Sequence, residues 1–136
     1  MTTRATRLAF VALAAGTIVL GLWVHRGGGA LDATARDVIG DALWATMMAW
    51  WVGAAAPSLA LVRRSAVAFG ICVVVELSQL IHTPALDAIR RTLPGQLILG
   101  SGFDVRDLLA YAVGVCLAAL LERFARGSRP AARADR

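Results

Sequence analysis

Six residues have types and spacings that could do chemistry together: Asp41, Glu76, Gln79, Asp104, Asp107 and Tyr111. Glu76 lies inside the apolar run Ile71–Ile81. An ionised acid at the bilayer centre costs about 2.5–3.5 kcal/mol on insertion scales, so it normally faces a partner or a cavity. Gln79 follows three positions later and shares a helix face with Glu76. Asp107 and Tyr111 are four apart on a later segment, and Gly114 extends their face. Asp41 precedes Trp44 and Ala45 by one turn on an earlier segment. Neighbouring carboxylates disfavour joint ionisation, so a proton or cation shared between Glu76 and Asp107 is the expected chemistry. A cluster of this kind binds a cation or a polar headgroup, or it performs acid/base catalysis with Tyr111 as an auxiliary donor.

Each member also has a purely structural reading. Asp104-Val-Arg-Asp107 has the form of a capping box. Asp41 reads as a first-turn acid with Asp37 as a possible cap, and Gln79 as a cross-helix hydrogen bond. Tyr111 reads as an interface aromatic. Glu76 is mid-helix, so its structural alternative is a buried carboxyl that ties helices together. His82 could carry protons to the cluster or be a solvated loop residue. Arg90, Arg91 and Arg106 could hold an anionic ligand group or snorkel to lipid headgroups.

The elements that position these residues follow from composition. Only 17% of the 136 residues are charged, against about 25% for soluble domains, and mean hydropathy is +0.66. Four apolar runs, Leu8–Val24, Ala42–Val62, Ser65–Ile81 and Leu108–Leu121, approach or reach the roughly 17–25 residues of a spanning helix. The expected fold is all-α, an integral membrane bundle of four transmembrane helices over residues 8–124. A basic arm (residues 1–7) precedes it and a basic tail (residues 125–136), expected to be disordered, follows. The first run is longer than a signal-peptide core, and Ala33-Thr-Ala35 lies far beyond it, so it is read as a retained helix.

Orientation follows from arginine placement. Arg4, Arg7, Arg63, Arg64, Arg123, Arg126, Arg129, Arg133 and Arg136 fall on one side, and Arg26, Arg36, Arg90, Arg91 and Arg106 on the other. The first side is therefore read as cytoplasmic, with both termini inside a bacterial inner membrane. The net charge of +5 then reflects topology, and no nucleic-acid module accompanies it. Membrane lipids are the expected partners, with a small-molecule or lipid-linked ligand and a homo-oligomer or larger complex as further possibilities. Most acids, Asp32, Asp37, Asp41, Glu76, Asp87, Asp104 and Asp107, fall on the outer side, as a shared outward-facing site would require.

Loops and packing residues complete the expectation. Arg63-Arg64 reads as a tight inner turn, and Gly53 to Ala56 ahead of Pro57 as a close-packing, kinked stretch. In the third, outer loop Leu86, Ile89 and Leu93 predict a short interfacial helix ended by Pro94-Gly95, with Leu97–Gly100 dipping toward the core. Trp23 and Trp44 read as belt residues, and Trp50 and Trp51 as packing. Cys72 and Cys116 read as small hydrophobes, with no metal and no cofactor expected.

Gly40-Asp41-Ala-Leu-Trp44, Glu76-Leu-Ser-Gln79 and Gly100-Ser-Gly-Phe103-Asp-Val-Arg-Asp107-Leu-Leu-Ala-Tyr111-Ala-Val-Gly114 together resemble domain-of-unknown-function family 2809. This is a group of small four-helix bacterial membrane proteins that looks related to VanZ-like proteins. Glu76 and Gln79 match the VanZ-like E-x-x-Q, and Asp104, Asp107 and Gly114 match its later acid pair and glycine. Tyr111 stands where that pattern has Asn. The resemblance implies a cell-envelope or glycopeptide-resistance association. The leading expectation is a non-enzymatic membrane protein whose outward pocket binds a lipid headgroup, cell-wall fragment or cation. A membrane enzyme acting on a lipid-linked substrate, or a structural or assembly subunit, are the alternatives.

Overall fold

The computed structural model describes residues 3–27, 31–100 and 102–127. Six helices follow one another: α1 (Thr3–Gly27), α2 (Ala33–Ala55), α3 (Leu61–Ser78), α4 (Pro84–Arg90), α5 (Leu93–Leu99) and α6 (Val105–Gly127). There is no strand among the described residues. Helices α1, α2 and α6 are each long and apolar enough to cross a membrane. α3 is shorter, eighteen residues, so Arg63, Arg64 and Glu76 all fall within its single membrane-length stretch, whereas the longer three helices each hold a stretch with fewer charges.

α2 is the hub. It packs against α1, α3 and α6, and α3 also packs against α6, whereas α1 has no direct backbone approach to α3 or α6. Small residues let the helices come close: Ala14, Ala45 and Ala68 are fully buried. Gly53 faces the ring of Phe10, which in turn stacks on Trp50 with ring centroids 6.1 Å apart. The outward faces remain apolar. Val62, Leu109 and Phe124 are more than two-thirds exposed, which suits contact with lipid rather than water.

Several boundaries differ from the sequence expectation. α1 starts by Thr3, so Arg4 and Arg7 belong to its first turns rather than to a separate arm. α2 begins at Ala33, capped by Asp32, whose carboxylate accepts the Ala35 N–H at 2.7 Å. Asp37 is therefore not the cap, and Asp41 lies two turns into the helix rather than in its first turn. α2 ends at Ala55, so Pro57 belongs to the following turn and no kink is needed. That turn occupies Ala56–Ala60, and Arg63 and Arg64 open α3 instead of forming the turn. The connection between α3 and α6 holds two short helices, and Pro94-Gly95 lies inside the second rather than ending the first. Proline fits there because the first turn of a helix has no use for its missing N–H. The tail expected to be disordered falls, beyond Gly127, outside the described residues.

Arg90 explains how α4 is held. Its guanidinium is buried beneath the end of α3 and donates to the carbonyls of Ser78 at 2.7 Å and Ile81 at 2.8 Å. A cation at a helix C-terminus satisfies orphan carbonyls and the dipole together. Arg90 is thus an internal cap and not a ligand-binding arginine. Arg90→Met keeps the stem but loses both bonds. It is expected to lower unfolding free energy by about 1.5–3 kcal/mol, measured by denaturant titration in mild detergent. An unchanged midpoint would show that water replaces the cap.

Candidate functional site

The end of α3 meets the start of α6 around Glu76, which has no exposed surface. Three donors converge on its carboxylate. Oε2 accepts from the Tyr111 hydroxyl at 2.9 Å and from Gln79 Nε2 at 2.9 Å, and Oε1 accepts the backbone N–H of Asp104 at 2.8 Å. A carboxylate inside a bundle is tolerated when its oxygens are occupied in this way. The helical spacing delivers the side chains: Gln79 is three residues past Glu76, and Tyr111 lies one turn and a half into α6.

The Asp104–Asp107 segment departs from a capping box in an informative way. Asp104 caps α6, its Oδ1 accepting the Arg106 N–H at 2.9 Å. The reciprocal bond, in which the later acid returns to the cap N–H, is made by Glu76 from another helix. Asp107 is thereby released from capping. Its carboxyl stands within hydrogen-bonding reach of the Asp41 carboxyl on α2. Asp107 thus has two acidic neighbours on other helices, Glu76 on α3 and Asp41 on α2. Both aspartates are half-buried at the edge of the bundle, unlike Glu76.

Two close contacts fix that pair. The Trp44 ring lies 5.6 Å from the Tyr111 ring, centroid to centroid. One helical turn deeper, the single Thr46 hydroxyl proton is shared between the Ala42 carbonyl at 2.8 Å and the Gly114 carbonyl at 2.9 Å. Gly114 has no room for a side chain, because a Cβ there would overlap the Ala42 carbonyl. Gly100 plays a similar part beside Gln79: its φ of +69° suits glycine, and a Cβ would strike the Gln79 amide. Gln79 is buried, and its Oε1 has no hydrogen-bond partner among the described residues.

All six residues singled out from the sequence thus gather at one end of the bundle. His82 does not join them; exposed, it sits 3.4 Å from Asp87. Arg106 lies beside Asp104, 3.6 Å away. Sequence reasoning missed Thr46, whose hydroxyl in an apolar helix was the available signal. It also missed the opposite end, where buried Arg64 pairs with Glu122 at 2.5 Å and rests on the Phe10 ring. Arg126 shares the same Glu122 carboxylate. Among the described residues no group of three His, Cys, Asp or Glu side chains is placed to hold a metal ion. Cys72 is buried and Cys116 exposed, both as free thiols.

Residues 30–115 match the model of a family described as "Protein of unknown function (DUF2809)". The matched segment contains the whole Glu76 constellation, whereas α1 and the last turns of α6 lie outside it. No solved structure matches the chain.

Proposed function

The chain belongs to the DUF2809 family, and from that premise and the arrangement of its acids we propose a membrane protein that binds a positively charged group between Asp41 and Asp107. The pairing of these two carboxyls carries the proposal. Two acids in hydrogen-bonding reach coexist only with a proton or another cation between them. Of a lipid headgroup, a cell-wall fragment and a free cation, the pair selects whichever presents a protonated amine or an exchangeable proton. Glu76, Gln79 and Tyr111 form the frame of this site. With both oxygens of Glu76 occupied, its role is positioning, as in the structural reading of that residue.

In this proposal α3 is a fourth crossing. Its charged residues have partners, Arg64 with Glu122 and Glu76 with its three donors, which lowers the cost of immersion. Both termini then lie in the cytoplasm of a bacterial cell and the acid pair faces outward across the inner membrane. The arginine distribution supports that orientation. The E-x-x-Q and later acid pair support a VanZ-like, cell-envelope association.

Asp41→Asn/Asp107→Asn tests the site. The probe is glycerophosphoethanolamine, which has no acyl chains, titrated into detergent-solubilised protein, with glycerophosphoglycerol as the control. Loss of a charge-assisted hydrogen bond is expected to weaken amine binding by about tenfold or more, with folding intact. Unchanged affinity would overturn the proposal. A double variant that fails to fold would move both aspartates to the structural reading. Turnover of a lipid-linked substrate by the wild type alone would move them to the enzymatic one.

A further inference from the structure

We infer that a second site, at the end of the bundle away from Glu76, holds the acyl chain and phosphate of an anionic phospholipid. α1 and α6 both pack on α2 without approaching each other directly. Their side chains meet in a small core of Phe10, Ala14, Trp50 and Ala118. Beyond it a groove of about 640 Å³ opens between them, its floor made by Phe10, Leu13, Trp50 and Leu121. That volume lies within the range of about 300–1,000 Å³ typical of ligand sites. Its walls belong to two helices that are long and apolar enough to cross a membrane, so it opens sideways toward lipid.

Charge decides which lipid. Glu122 and Arg126 line the charged mouth of the groove. Arg64 reaches the same Glu122 from behind, its guanidinium 5.0 Å from the centroid of the Phe10 ring. Arg64 is 3% exposed, and its Nε has no hydrogen-bond partner among the described residues. Two guanidinium groups against one carboxylate leave the mouth with one unit of positive charge. Arg4, Arg7 and Arg123 lie on the groove's two helices at the same end. An anionic phosphodiester is complementary to this mouth, and a zwitterionic headgroup much less so. The inference needs only membrane placement and is independent of amine binding at Asp41 and Asp107.

Native mass spectrometry of the delipidated full-length protein provides the test. It is titrated with phosphatidylglycerol or phosphatidylcholine of identical acyl chains. One surplus charge near an anionic headgroup corresponds to about a fivefold preference, so phosphatidylglycerol is expected to be retained about fivefold more tightly. Arg126→Gln, an exposed position, should abolish the preference while leaving a chain in the groove. Ala9→Trp, exposed on the α1 wall, should fill the groove and remove retention of both lipids. Equal retention of the two lipids by the wild type would overturn the inference. So would lipid binding that Ala9→Trp leaves untouched, or a dimer of the chain that protects the groove instead of lipid.

Discussion

Glu76→Leu should leave little folded protein, whereas Glu76→Gln should fold almost as the wild type does. Leucine fills the volume but strands the Tyr111 hydroxyl, the Gln79 amide and the Asp104 N–H. Each buried unsatisfied donor costs about 1–3 kcal/mol, so the change removes roughly 3–9 kcal/mol. A whole domain is stable by only about 5–15 kcal/mol. Glutamine behaves differently because only one of the three donors is fixed. Its carbonyl oxygen can keep the Asp104 N–H. Its amide can donate to Tyr111, whose hydroxyl rotates, and to the Gln79 oxygen, which has no partner among the described residues. The expected cost is below about 1.5 kcal/mol. Thermal unfolding and the monodisperse fraction in mild detergent separate the two variants. If Glu76→Gln fails as badly as Glu76→Leu, the negative charge itself is required and the hydrogen-bond account is wrong.

Gly114→Ala is the second large effect, and it acts through backbone. The added Cβ would overlap the Ala42 carbonyl, so α2 and α6 must separate. Overpacking of this kind costs about 1–3 kcal/mol. Separation also weakens the Thr46 bond to the Gly114 carbonyl and moves Asp41 away from Asp107. A lowered melting temperature and reduced amine binding should therefore appear together. Gly70→Ala is the matched control, since a Cβ there meets nothing within 4 Å. It should be neutral or stabilising by up to about 1 kcal/mol. Equal stability of the two variants would show that the α2–α6 contact yields without cost.

The helical class and the gathering of the six polar residues were legible because both follow from periodicity. Three- and four-residue spacings put Gln79 beside Glu76 and Tyr111 beside Asp107, whatever the helix ends do. The partners of each acid were not legible. Asp104-Val-Arg-Asp107 looks like a closed local motif, and nothing in it shows that a residue on another helix takes one of its bonds. Asp41 looked like a first-turn acid because the apolar run begins beside it. The polar stretch from Ala33 is nevertheless helical, since Asp32 caps it. In the sequence Arg64 reads as a turn and topology residue, since a distant ion pair with Glu122 leaves no local trace. The resemblance to the 2809 family was carried by the acid–glutamine and acid–glycine patterns, and the matched segment contains those residues.

The long-range partners of α3 have a consequence for the order in which the chain is made. Arg64 waits for an acid 58 residues further on, and Glu76 waits for donors 28 and 35 residues later. While α3 leaves the ribosome, Arg64 has no partner and Glu76 has only Gln79, because the other partners reside on α6 or its cap. α1 and α2 can enter a bilayer as each is completed. On the four-crossing reading, α3 cannot settle until α6 arrives, so the last two long helices must insert as a pair. A chain stopped before Val105 would leave α3 at the membrane surface.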